Sequence, residues 1–427
     1  MSDTGDGALP PLVCATAGSV DDGKSTLLGR LLLDAKALMS DQIEHVTELS
    51  KRRGLTRTDL ALLTDGLRAE REQGITIDVA WRYFATPKRR FVLADSPGHI
   101  QYTRNMVTAA SHADVAIILV DVRRAVTEQA RRHLFVARLL GVPSITVAIN
   151  KMDQVGFSFE SFASVRDEVA RYLDGIDLPR PAPRVTFIPV SALHGDNVVE
   201  PSTAMPWHDG TTLLAHLEGL AKAVDSAGVG ARLAVQATLR PQSDSHPDFR
   251  GYAGRLTSGT LAVGQSVRVL PAGASSTIAA IHAGGEPVAS AHAGRSIVAC
   301  LADDIDVGRG DLIVGEGAVA PRVTTELTAD LAWLNAAEAT IGAPYLLKCG
   351  TREVRAFLDQ IETPYDVASG RATSHDGRRL GLNDLARVRM RTGSPIVVDA
   401  YRDARATGSF LLVDPTTSET LGAGMVL

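Results

Sequence analysis

Between residues 12 and 190 the chain repeats one arrangement: a short, nearly unbroken apolar run, then a stretch of helical character. The runs are LVCATA (12–17), FVLAD (91–95), VAIILVD (115–121), ITVAIN (145–150) and VTFIPV (185–190). Between them lie segments such as LLGRLLLDAKAL, EQARRHLFVARLL (128–140) and FASVRDEVARYL (162–173). A strand that is apolar on both faces must be covered on both, so strands alternating with helices predict a mostly parallel sheet with helices on either side. ITIDVAWRYF (75–84) is different. Its apolar and polar residues alternate, as in a strand with one face in water. Residues 40–74 are charged and mixed, with helical stretches but weak apolar periodicity.

The pattern changes after about residue 225. From SAGVGARLAVQATLR onward the chain has short strand-like runs, many glycines and few helical windows, and GYAGRLTSGTLAVGQSVRVLP (251–271) reads as strand, glycine turn, strand. A second change falls near EGAVAPRVTT (316–325), after which the same style continues to the end. Short strands at regular spacing predict β-barrels. The expected organisation is a disordered stretch over 1–10, an α/β nucleotide domain over 11–226, and β-barrel domains over 230–319 and 324–427. A length of 427 residues and 45% apolar composition give each domain a core of its own.

GSVDDGKST (18–26) follows the first apolar run and opens the first helical one. The spacing Gly-x-x-x-x-Gly-Lys-Ser is that of a phosphate-binding loop, yet Asp21 and Asp22 are acidic. Such a loop neutralises phosphate mainly with backbone N–H groups and the N-terminal end of the next helix. Gly18 and Gly23 permit the tight path, with Ser19, Val20, Asp21, Asp22 and Thr26 lining it. Lys24 reaches the β- and γ-phosphates and Ser25 offers its hydroxyl to Mg²⁺. Asp21 and Asp22 then have to point away from the phosphates, toward a donor, a cation or solvent.

Asp95-Ser96-Pro97-Gly98 ends the run FVLAD. Asp95 can hold Mg²⁺ through water, and Gly98 leaves its N–H free for a γ-phosphate, so that loss of the phosphate releases the segment. Asn150-Lys151-Met152-Asp153 ends ITVAI, and Ser191-Ala192-Leu193 follows VTFIPV. Asp153 can accept hydrogen bonds from N1–H and the 2-amino group of guanine, and adenine offers neither. The Lys151 stem can lie along the base, Asn150 can tie the loops together, and the Ala192 N–H can meet guanine O6. The order of these motifs, each at the end of a predicted strand, implies GTP with Mg²⁺. Thr76, in GITI (74–77), can complete the Mg²⁺ shell, and His99 can orient the attacking water. Arg68 and Arg71 pair with Glu70, Glu72 or a partner, or supply positive charge to the transition state.

GSVDDGKSTLLGRLL, DGLRAEREQGITIDVAWRYF, DSPGHIQYTRNMVTAAS and VAINKMD together resemble the large, GTP-hydrolysing subunit of bacterial heterodimeric sulfate adenylyltransferase. MPWHDGTTLLAHLE, DFRGYAGRLTSG, DDIDVGRGDLIV and the ending LGAGMVL extend the resemblance over nearly the whole chain. The long segment DGLRAEREQGITID is its most specific part; related translation factors share the glycine loop and the Gly-Ile-Thr-Ile but not the rest. The resemblance implies a GTPase domain followed by two β-barrels. It also implies a separate, smaller catalytic subunit that joins ATP and sulfate into adenosine 5′-phosphosulfate and pyrophosphate, a step driven by GTP hydrolysis, and allows a higher assembly of such heterodimers. Ser96 stands where threonine is usual in that family. There is no second phosphate loop, so adenylylsulfate kinase activity is not expected from this chain.

Two other readings stay open on the sequence. One is a translation-factor-like GTPase that delivers tRNA, whose barrels would present a basic face with steeply salt-dependent binding. The other is a paralogue serving a different adenylylating enzyme. A net charge of −5 argues against broad nucleic-acid binding. No stretch reaches the roughly 18 apolar residues of a spanning helix, and the N-terminus has no apolar signal core. Cys14, Cys300 and Cys349 are far apart and read as buried small hydrophobes in a reducing cytosol.

Overall fold

The computed structural model describes residues 9–19, 21–38, 40–52, 58, 60–63, 79–96, 103–124, 126–178, 180–222, 228–241, 249–317, 319–373 and 379–427. Its contacts divide the chain into two units. The first is Met1–Ala223 with Asp366–Arg371, and the second is Val224–Tyr365 with Ala372–Leu427.

In the first unit six strands form one sheet: β1 (Leu9–Gly18), β2 (Ala80–Ala85), β3 (Arg89–Asp95), β4 (Val115–Asp121), β5 (Ser144–Asn150) and β6 (Arg184–Pro189), in the order β2-β3-β1-β4-β5-β6. β1 runs parallel to β3 and β4, β4 to β5, and β5 to β6. Among the described residues only β2 is antiparallel, paired to β3 at the sheet edge. Every residue of β4 and β5 is buried, which is why their sequences carry no polar alternation. The outer strand β2 does alternate: Trp81 and Tyr83 are exposed, while Phe84 is buried and stacks on Phe91 with ring centroids 4.6 Å apart.

Among the described residues six helices accompany the sheet: α1 (Lys24–Asp34), α2 (Ser40–Arg52), α3 (Thr103–Ala110), α4 (Glu128–Leu139), α5 (Phe159–Asp174) and α6 (Leu213–Gly219). Side-chain hydroxyls cap three of them: Thr127 accepts from the Ala130 N–H, Ser158 from Ser161 and Thr212 from Ala215. α1 starts after Gly23, its N-cap, with no side-chain cap among the described residues. Its inner face, Leu27, Leu28 and Leu31, packs with Leu12, Cys14, Phe91, Leu93, Val115, Ile117 and Leu119. Buried Arg89 ties this layer together by donating to the carbonyls of Pro10 and Leu220.

The second unit contains two closed β-barrels. In the first, strands Ser266–Leu270, Leu312–Gly315, Arg232–Leu239, Gly251–Ser258, Ser296–Leu301 and Ala274–Ala283 pair in that order, and pairing of the last with the first closes the ring. In the second the order is Pro344–Cys349, Ser409–Val413, Thr420–Val426, Arg322–Trp333, Leu385–Val398 and Arg352–Asp366, closed in the same way. Closure removes the open edges that so many short strands would otherwise expose. A buried ion pair joins the barrels: Arg232 meets Asp399 through two contacts of 3.2 Å, and Thr407 donates to the same carboxylate at 2.6 Å. Cys14 and Cys349 are buried and Cys300 is partly so; burial pushes the Cys349 thiol up to about 12. No helix among the described residues is long and apolar enough to cross a membrane.

Gly29 marks where the helix that begins at the phosphate loop is most tightly fitted. A Cβ there would run into the backbone carbonyl of Leu60, in the short 3-10 turn Leu60–Leu63. Gly29→Ala is expected to destabilise the first unit by about 1–3 kcal/mol, as overpacking does. Urea unfolding monitored in that unit checks this, and an unchanged midpoint would show that the turn yields freely.

Candidate functional site

The loop between β1 and α1 places its two acidic residues differently. Asp21, exposed and at φ 72°, faces solvent. Asp22 is only 2% exposed, and its Oδ2 accepts the Ser19 N–H at 2.8 Å. The carboxylate thus braces the loop internally. Burial pushes Asp22 up to about 6; the Ser19 N–H opposes this, and repulsion from Asp121 adds to it. Gly23 has φ 90°, and a Cβ on it would lie 2.5 Å from Asn150 Nδ2. Glycine is therefore required twice over, by backbone conformation and by the close approach of a neighbouring loop.

The loop is held by its backbone carbonyls. Asn150 donates from Nδ2 to the Asp22 carbonyl at 2.8 Å, and Lys151 Nζ donates to the Asp21 carbonyl at 2.5 Å. This arrangement follows from the sheet order, because the parallel register β1-β4-β5 sets the C-terminal ends of these strands side by side. Asn150 Oδ1 accepts the Ala192 N–H at 3.0 Å, so one buried amide links the phosphate loop to the segment Ser191–Leu193. Asp153 is oriented by Ser191 Oγ at 2.7 Å and Gln154 Nε2 at 2.6 Å. Burial alone would raise its pKa, but these hydrogen bonds outweigh it and hold the carboxylate ionised. Arg30 donates to the carbonyls of Ala192 and Leu193 and fixes that loop from behind.

On the phosphate side Lys24 Nζ lies 2.5 Å from Asp95 Oδ1, with both side chains buried, and Thr16 Oγ1 donates to the same carboxylate oxygen at 3.0 Å. Ser25 and Thr26, half-buried, occupy the first turn of α1. Ser96 donates its hydroxyl to the Thr16 carbonyl at 2.5 Å. A serine serves at this position because the hydroxyl makes the contact and an extra methyl is not needed. Val20, Arg68, Arg71, Thr76, Gly98 and His99 lie outside the described residues.

Three residues that sequence reasoning passed over belong to this site. Asp121, at the end of β4, is fully buried and receives Arg123 and Lys151. Burial would raise its pKa, but the hydrogen bonds from Arg123 and Lys151 prevail and hold it well below the usual carboxylate range. Thr127, the cap of α4, meets Ser19 Oγ at 2.8 Å. His133 is buried, and burial together with the positive charges of Lys24 and Arg132 pushes it down to about 3, so it is neutral at ordinary pH. A polar residue ending an apolar run was the available signal for Asp121; nothing in the sequence marks His133.

An acid whose folded pKa exceeds its unfolded value holds extra protons in the folded state, so stability falls as pH rises from 3.8 to about 6 and stays lower above that. Asp22→Asn keeps an oxygen for the Ser19 N–H and cannot ionise. The variant is expected to be more stable than the parent at pH 7.5, by about 1–3 kcal/mol, with the gap closing toward pH 5. Thermal unfolding of the nucleotide-free protein at both pH values measures this, and a gap independent of pH would refute it.

Comparison with known proteins agrees with this geometry. The elongation factor Tu GTP binding domain family matches residues 10–227, and the GTP-eEF1A C-terminal domain-like family matches 326–427. The bifunctional enzyme CysN/CysC of Mycobacterium tuberculosis is 50% identical over 417 residues, covering 97% of this chain and 66% of that one. The sulfate adenylyltransferase subunit 1 proteins of Citrobacter koseri and Vibrio vulnificus are each 44% identical, covering 96% of this chain and 85% of theirs. The chain thus spans just under two thirds of the length of the bifunctional relative it matches and most of the subunit 1 proteins. An elongation factor Tu-type GTP-binding domain, two closed barrels and this level of identity place the chain in the sulfate adenylyltransferase subunit 1 family.

Proposed function

We propose that the chain is the GTP-hydrolysing regulatory subunit of a sulfate adenylyltransferase. Its hydrolysis of GTP drives a smaller partner subunit to form adenosine 5′-phosphosulfate and pyrophosphate from ATP and sulfate. The nucleotide domain spans 11–226, and the barrels span 230–319 and 324–427. The observation that carries the GTP reading is the clamp of Asn150 and Lys151 on the phosphate loop, with the Asp153 carboxylate oriented beside it by Ser191 and Gln154. Sulfate and the partner come from the names of the relatives.

Asp153 reads the base by accepting from N1–H and the 2-amino group of guanine. Adenine would leave this carboxylate facing an acceptor at N1, without a donor in return. The loop N–H groups and the start of α1 receive the phosphates. Lys24 exchanges Asp95 for phosphate oxygens, Gly98 offers its N–H to the γ-phosphate, and His99 orients the attacking water. Among the described residues no cluster of three or more His, Cys, Asp or Glu side chains could hold a metal alone. A cation here would share hydroxyl, carboxylate and phosphate oxygens, a donor set that suits Mg²⁺. Ser25, Asp95 and Thr76 would hold it, and when bound it offsets negative charge on the phosphates.

Asp153→Asn replaces an acceptor by an amide that can donate to O2 of xanthine. GTP affinity is expected to fall by about two orders of magnitude while xanthosine triphosphate binding rises; retained GTP affinity would contradict the role of Asp153. The division of labour is tested with the purified chain, ATP and sulfate. No adenosine 5′-phosphosulfate should form until the second subunit and GTP are added, and product from the single chain would overturn the assignment.

A further inference from the structure

The geometry points to Asp121 as a positioning residue that holds Lys151 against the phosphate loop, so that base recognition and phosphate recognition are fastened together. This inference rests on the GTP reading above.

Asp121 ends β4 in register with Asn150 at the end of β5, and the Val122 N–H donates to the Asn150 carbonyl at 3.1 Å. Its carboxylate is fully buried, a costly place for a charge unless cations accompany it. Arg123 grips it with a two-pronged contact, Nε to Oδ1 at 3.0 Å and a terminal nitrogen to Oδ2 at 2.7 Å, and its backbone N–H adds a third bond at 3.0 Å. Lys151 Nζ approaches Oδ2 at 3.0 Å. The same ammonium donates to the Asp21 carbonyl. One nitrogen therefore spans a strand-end carboxylate and the phosphate loop.

The Lys151 backbone has φ 65°, in the left-handed region that a side chain with a Cβ occupies only when its surroundings enforce it. That conformation turns the residue between β5 and the turn Met152–Val155. The Asp121 carboxylate and the Asp21 carbonyl are the two acceptors that hold the far end of the side chain. Arg123, 41% exposed, neutralises Asp121 from the solvent side and fixes the plane of its carboxylate. The Lys151 link runs beside the Asn150 link to Asp22, and Ser19 meets Thr127 on the loop that follows Asp121. The ends of β1, β4 and β5 thus form one block. None of these contacts is made by Lys24 or Asp95, so the block does not distinguish a diphosphate from a triphosphate.

A double-mutant cycle on the full chain tests this, with Asp121→Asn, Lys151→Ala and the double variant. Affinity and release rate are read with N-methylanthraniloyl-GDP, and GTP is measured by competition. Asp121→Asn is expected to weaken GDP and GTP alike by about tenfold, or about 1.4 kcal/mol, and to add nothing in the Lys151→Ala background. Additive losses would mean a general structural defect and overturn the inference, as would native affinity in Asp121→Asn. If Asp121→Asn does not yield folded protein, Arg123→Ala replaces it in the cycle. A loss of about threefold that vanishes beside Lys151→Ala supports the inference, and no loss or an additive one refutes it. Failure of the native chain to bind the GDP analogue would instead remove the GTP reading itself.

Discussion

An acidic loop can hold a polyanion only if its carboxylates are turned from the cavity and its N–H groups toward it. That constraint governs the first unit. Asp22 meets it by folding back on the Ser19 N–H, at the cost of a buried charge whose pKa is pushed up to about 6. The fold tolerates this because the loop is held by its carbonyls. Asn150 and Lys151 take the carbonyls of Asp22 and Asp21, and both donors come from the end of the strand two places over in the sheet. Shifting β4 against β5 by one residue would move Asp121 and Asn150 out of register and dismantle the arrangement.

The two ends of the site are built on different principles. At the base end every donor among Asn150, Lys151 and Ser191 already has an acceptor, and the side chains are fixed by neighbours. At the phosphate end the principal cation, Lys24, is matched to a protein carboxylate that a nucleotide would have to displace. A buried lysine facing only apolar groups would be far more costly, so Asp95 keeps the charge in place until phosphate replaces it. His133 next to them stays neutral and adds no second positive charge to that neighbourhood.

The parallel sheet was legible because β4 and β5 are buried on both faces and read as unbroken apolar runs. That Asn150 and Lys151 lie beside the 18–26 loop was legible because such motifs demand particular residue types at fixed spacing. Asp121 and Arg123 were not, since their value depends on which strand lies beside β4, a long-range property that no local window contains. The hydrogen bond from the Ala192 N–H to Asn150 was hidden for the same reason: it joins residues 42 apart in the chain. In the second unit the change to short strands showed β-structure, while ring closure rests on pairings such as Pro344 with Phe357 that only the folded chain reveals.

A base end that is locked in place limits what the nucleotide can signal. A ligand shifts a conformational equilibrium only by its differential affinity for the two states. On the proposed reading GDP and GTP would present the same guanine to Asp153 and the same β-phosphate to the loop, so those contacts would cancel in the comparison. Any free energy passed to a partner must therefore arise where the γ-phosphate differs, at the Lys24–Asp95 pair and the backbone that follows Asp95. A rigid block at the ends of β1, β4 and β5 serves that purpose, because a soft base end would absorb the difference in local rearrangement instead of transmitting it.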